Sequence, residues 1–156
     1  MDLIVKTSGV ARKTIYSHYR NKDELVAAAL RQRDERWMQW FIAATSRAPD
    51  AQGRYASIFP ALRSWFESDG FRGCAFINAA AETSDPDNPI RAVCRLHKQR
   101  LLDYLGQMAA ACGMRDAQET ARQLLLLIDG AIAMAQVSGD PASADTAGLM
   151  ARRLHP

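Results

Sequence analysis

At 156 residues, 48% of them hydrophobic, the chain can bury a sizeable core without covalent staples. Its three cysteines, Cys74, Cys94 and Cys112, have no paired spacing, which excludes a disulfide framework and points to a reducing cytoplasm; the opening MDLIVKTSG is no secretory leader, and the longest apolar run, residues 124–128, is cut by Asp129 far short of a membrane span. The net charge of +3 is all N-terminal: residues 1–36 hold eight basic and five acidic side chains, the remainder twelve of each, and between Lys6 and Lys22 lie five basic residues and no acid, a field suited to phosphate.

Strand signals are nearly absent and helical punctuation is frequent, so the expected fold class is all-α. A short helix is expected over 2–8, stopped by Gly9, followed by a second over 12–19. Asn21 then caps a third, with Glu24 completing an Asn-x-x-Glu capping box ahead of an apolar-periodic stretch of about 25 residues by its pattern. Residues 46–53, with Pro49, Asp50 and Gly53, read as a loop that divides an N-terminal unit, 1–45, from a larger unit, 46–156. Ile58, Phe59, Leu62, Trp65 and Phe66 recur at helical spacing over 55–68, where Pro60 must begin or kink the helix. After a turn at 69–73 come a short helix over 74–82, a loop over 84–89, and a helix that Asn88 caps and Pro89 opens, running to about 111. Cys112-Gly113 ends it. A further helix over 116–137 is apolar around most of its circumference, and Asp140-Pro141 supplies a cap and a first-turn proline for a last helix ending near residue 154.

Two short helices joined through a glycine turn, the second one basic, are the parts of a helix-turn-helix. On a helical wheel Ile15 and Tyr19 share one face, while Lys13, Tyr16, Ser17 and Arg20 lie opposite: one face packs, the other reads. The block Gly9, Val10, Thr14, Ile15, Tyr16, His18, Tyr19, Lys22 and Leu25 resembles the recognition-helix signature of the TetR family of transcription regulators. The resemblance implies that Arg12, Lys13 and Thr14 face base edges and that Tyr16, His18 and Lys22 touch bases or phosphates. Arg and Lys pair with guanine O6 and N7, while phosphate contacts set register. Two departures stand out. Ala11 occupies the position where the family usually has a capping Ser, a loss of about 1 kcal/mol for the recognition helix. The family also begins with a further helix ahead of the first one seen here, whose absence is expected to leave Leu3, Ile4 and Ile15 partly uncovered.

The stretches FRGCAFINAAAE and LLLLIDGAIAMAQVSGDP more loosely resemble a TetR regulatory domain. This implies a small-molecule effector site and a homodimer built through the last two helices. Independently, the apolar helix over 123–135 is too rich in leucine for a protomer this size to cover, and Gly130 and Ala131 permit close helix approach, so a symmetric partner is expected. Aromatic residues concentrate between Trp37 and Phe76, mostly as core. Trp65, Phe66 and Phe76, with the polar groups Asn78, Glu82 and His97 set in apolar segments, are the candidate effector contacts. Asp129 is expected either to bond across the dimer interface or to face solvent. Cys94-x-x-His97 offers half of a metal site with no second pair, so no metal is expected. No nucleophile elbow, phosphate loop or HExxH helix is present, and His97 with Glu82 is the one acid–base pair on offer, so neither an enzyme nor a cofactor is implied.

These residues together imply a sequence-specific DNA-binding regulator: a homodimeric repressor, released by a small-molecule effector, that binds a near-palindromic operator in the cytoplasm. The alternative is a shortened dimeric sensor that binds ligand without holding DNA.

Overall fold

In the computed structural model, residues 1–154 are described, and helices account for almost all of their regular structure. Their order is α1 (Asp2–Ser8), α2 (Arg12–His18), α3 (Lys22–Thr45), α4 (Ala51–Ala56), α5 (Ile58–Phe66), α6 (Ala75–Ala81), α7 (Pro89–Ala111), α8 (Ala117–Ser138) and α9 (Ser143–Leu154). The fold is all-α, with no strand among the described residues.

Side-chain caps set the starts of α3, α4, α7 and α8. Asn21 Oδ1 accepts from the Glu24 N–H at 2.8 Å, Asp50 from Gly53 at 2.6 Å, Asn88 from Ile90 at 2.9 Å and Asp116 from Glu119 at 2.9 Å, each satisfying a donor that the first helical turn leaves orphaned. Glu24 reaches back as a capping box requires, although its carboxylate accepts from the Arg20 N–H at 3.0 Å, one residue earlier than the motif predicts. α2 starts at Ala11, which offers no side-chain cap.

Three expected boundaries move. The loop over 46–53 ends early, because Asp50 caps α4 and so draws Gly53 into a helix. The single helix over 55–68 is two, broken at Ser57, with Pro60 in the first turn of α5, where a missing N–H breaks no helical bond. Pro141 precedes α9 rather than opening it: Asp140 Oδ1 accepts from Ala142 N at 2.9 Å, forming a turn before the helix starts at Ser143.

The core lies where α3, α5, α7, α8 and α9 converge, with Phe41, Ile58, Leu62, Leu101, Leu105, Leu124 and Ile128 almost wholly excluded from solvent. α3 contributes a stripe at helical spacing, Ala27, Leu30, Asp34, Met38, Phe41 and Thr45, in which one residue is an acid. Gly148 lets α9 lie close on α5; a methyl group there would sit 3.1 Å from Phe59 Cβ. α3 carries the N-terminal helices at one end and packs against α7 further along, so it links the basic end of the molecule to the core.

Candidate nucleic-acid interface and effector groove

α1 and α2 meet through Gly9, whose φ of 70° is a conformation that side-chain-bearing residues adopt only at a cost. Of the seven residues of α2, Ile15 alone is buried, and Tyr19 just beyond is half-buried. Arg12, Lys13, Thr14, Tyr16, His18 and Lys22 are all exposed, Tyr16 with 44% of its surface free. The helix is therefore anchored on one face and presents a basic, hydroxylated face outward. Arg12 is in contact with the Asp2 carboxylate, an ion pair so exposed that it holds the guanidinium only weakly. Among the described residues, Lys13 and Lys22 have no such partner. α1 itself has no buried residue, and Leu3 is 75% exposed, whereas Ile15, expected to be partly uncovered, is 7% exposed.

In the larger unit, the six candidate effector contacts fall into two groups. Trp65, Phe76 and His97 meet around a narrow crevice that Trp37 also lines. The His97 and Phe76 rings stack with centroids 3.7 Å apart, and Trp37 stands edge-on to His97 at 5.3 Å. Phe66, Asn78 and Glu82 do not line that crevice. Phe66 is buried against Phe71, with centroids 4.9 Å apart. Asn78 donates to the Arg72 carbonyl at 3.2 Å, and Glu82 is exposed at the C-cap of α6.

His97 takes its carboxylate from elsewhere. Its Nδ1 lies 2.7 Å from Asp34 Oδ1, with both side chains about 96% or more buried, and the other Asp34 oxygen accepts from Arg100, which also reaches Glu35 at 2.7 Å. Burial is the chief influence on His97 and holds its pKa below the ordinary histidine value, outweighing the Asp34 hydrogen bond that acts the other way. At neutral pH the ring is therefore uncharged and donates from Nδ1 to the carboxylate. This network joins α3 to α7 midway between two other polar links, Asn88 donating to Asp23 at 2.7 Å and Thr45 bonded to Tyr104 at 2.6 Å. Asp129 pairs with Lys98 of the same chain at 2.5 Å and is only partly exposed. Burial raises the Cys94 thiol pKa, and among the described residues no cluster of three metal-ligating side chains occurs.

A larger groove of about 820 Å³, open along one side, runs between α3 and α5–α6. Trp37, Trp40 and Trp65 form one wall, the rings 5.8–5.9 Å apart pairwise, and Arg33 and Arg36 stand along it. Among the described residues, the buried indole N–H of Trp37 has no acceptor. Sequence reasoning placed Trp37 and Trp40 among core aromatics. The signal it passed over was the repeat of 26, 30, 33, 37 and 40 along α3, a second stripe beside the core-facing one.

The outer face of α8 and α9 is apolar and open. Leu126 is 74% exposed, Val137 86%, and Met134, Leu149 and Met150 about half. A shallow groove of about 470 Å³ between the two helices is lined by Leu126, Leu127, Gly130, Met134, Ala147 and Met150 among others. Leu124, Ile128, Ile132 and Ala135 bury the opposite side of α8.

Comparison with known proteins agrees with this geometry at both ends of the chain. Residues 54–148 match the C-terminal domain of LmrA/YxaF-like transcriptional regulators, and residues 1–29 match bacterial regulatory proteins of the tetR family. The crystal structure of a TetR-family transcriptional regulator from Streptomyces coelicolor is similar at 34% identity and a TM-score of 0.87, over 97% of this chain and 80% of that one. The reduced form of Escherichia coli NemR shares the fold alone, at 18% identity and a TM-score of 0.86 over 98% of this chain and 84% of that one. The HTH-type transcriptional regulator YjdC of Escherichia coli is 25% identical over 101 residues, 65% of this chain and 53% of that protein. The match thus spans about half the length of that regulator.

Proposed function

Because the chain belongs to the TetR family of bacterial transcriptional regulators, we propose that it acts in the cytoplasm as a homodimeric repressor, released from a near-palindromic operator by a small-molecule effector. The observation that carries this reading is the one-sided exposure of α2: Ile15 anchors the helix, and Lys13, Thr14, Tyr16 and His18 are left free to meet a major groove. Lys22, the first residue of α3, stands beside them as a phosphate contact. Two such helices held by a symmetric pair would enter successive major grooves about 34 Å apart. The exposed leucine and methionine face of α8 and α9 supports a pair formed through those helices, since so large an apolar surface is costly in water.

Release requires that the effector prefer a dimer shape whose spacing no longer matches DNA. α3 is the element to transmit it, with one end beside α2 and its middle tied by Asp34 to His97 of α7. The test is a salt titration of operator binding with Lys22→Ala. Loss of one phosphate contact weakens binding to all sequences and reduces the salt slope by about one. An unchanged slope removes Lys22 from the interface.

A second reading, a sensor that pairs and binds ligand without holding DNA, is favoured by α1, none of whose side chains is buried. Operator titrations of this chain and of a version carrying one more amphipathic helix before Met1 separate the two. Equal affinities support the first reading; binding by the extended version alone supports the second.

A further inference from the structure

The groove between α3 and α5–α6 differs from the crevice around His97 in being large and open, and in lacking the acid, Asp129, that faces the crevice's cations Arg33 and Lys98. Its lining holds two cations, Arg33 and Arg36, and no acid. Arg63 is paired with Glu67 and Asp145, Arg100 with Asp34 and Glu35, and Arg122 with Glu119, while Arg54, Arg72, Arg91 and Arg95 donate to backbone carbonyls. Among the described residues, Arg33 and Arg36 have no carboxylate partner, although Asp34 and Glu35 lie between them in sequence and are committed to Arg100. Beside these two guanidinium groups stands a wall made of every tryptophan in the chain, Trp37, Trp40 and Trp65. Indole faces favour flat, polarisable rings, and paired guanidinium groups favour a planar, two-oxygen anion. A volume of about 820 Å³ lies within the range of small-molecule sites and leaves ample room for two or three fused rings.

We propose that this groove binds a flat aromatic carboxylate, its rings against Trp37, Trp40 and Trp65 and its carboxylate on Arg33 and Arg36. The proposal gives a chemical class to the effector inferred above and rests on that reading for its regulatory meaning, but not for binding itself. It also gives the ligand a physical route inward. Arg33 adjoins Asp34 in the chain, and Trp37 packs on His97, so a ligand in the groove touches both neighbours of the network that ties α3 to α7.

The test uses 2-naphthoate and its uncharged counterpart 2-naphthylmethanol, with affinity measured by calorimetry and by tryptophan emission. All three tryptophans report on this one groove. Naphthoate should bind and quench, and naphthylmethanol should bind about tenfold or more weakly, the difference a charge-assisted pair makes. Arg33→Gln with Arg36→Gln should abolish that preference while leaving naphthylmethanol affinity and helical circular dichroism unchanged. Equal affinity for the two probes, absence of naphthoate binding, or a preference that survives the double substitution overturns the proposal. So does a drop in sedimenting mass on Trp40→Ser, which would make the groove a contact between copies of the chain. A mobility shift run alongside keeps the two inferences apart. Naphthoate that binds without altering operator affinity upholds the ligand class and counts against effector release. Release by a neutral aromatic with no naphthoate binding does the reverse.

Discussion

Asp34→Ala is the substitution whose cost the structure defines most closely. The carboxylate is 3% exposed and accepts from His97 Nδ1 at 2.7 Å and from Arg100. Its removal leaves the His97 N–H buried without an acceptor, at a cost of about 1–3 kcal/mol. Arg100 is 35% exposed and keeps Glu35, so its loss adds about 1 kcal/mol or less. The sum is a destabilisation of about 1–4 kcal/mol, read from urea unfolding at one fixed protein concentration, since pairing couples stability to concentration. The double substitution Asp34→Ala with His97→Phe removes both polar partners and keeps a ring between Phe76 and Trp37. It should recover more than half of that loss, because an apolar pair leaves nothing unsatisfied. An Asp34→Ala variant within 0.5 kcal/mol of the parent, or a double variant whose cost equals the sum of the single ones, would refute the claim that His97 depends on this carboxylate.

The same site makes stability depend on pH. With the folded pKa of His97 held below its unfolded value of about 6.5, the unfolded chain takes up the proton first. The contribution is therefore complete above about pH 6.5 and declines as pH falls below it, at up to about 1.4 kcal/mol per pH unit. His97→Phe should flatten the unfolding free energy across that window. At the α8–α9 face, Leu126→Glu with Met134→Glu places charges where a partner would press. Sedimentation equilibrium should show the dimer converted to monomer with helical content intact, and an unchanged mass would move the interface elsewhere.

Local chemistry made much of the fold readable before any coordinates. Asn21 and Asn88 cap the helices they precede, and Gly9 ends its helix in the left-handed conformation, because each acts within one helical turn of itself. Errors came where two local signals competed. Asp50 as a cap outweighed Gly53 as a breaker, and Ser57 took the break that Pro60 advertised. The exposure of α2's basic face follows from the wheel, since Ile15 is the one apolar residue well inside the helix. The larger unit resisted the same treatment for a physical reason. His97 and Asp34 are 63 positions apart, and no spacing rule joins residues brought together only by packing α3 on α7. A trace was nonetheless present: Asp34 interrupts the stripe of Ala27, Leu30, Met38 and Phe41, and an acid on a buried face demands a partner. Glu82 looked interior because three alanines, Ala79, Ala80 and Ala81, precede it, yet it sits exposed at the C-cap of α6.

The central claim is that α2 reads DNA bases as one of a symmetric pair. In vitro selection from a randomised duplex library, followed by footprinting of the enriched sequence, tests it most directly. The account predicts a near-palindromic site protected in two half-sites about one helical turn apart, with base preference at the half-site positions relaxed by Lys13→Ala and Tyr16→Ala. Failure to enrich any sequence, or a single unsymmetrical site whose preferences survive both substitutions, would contradict it.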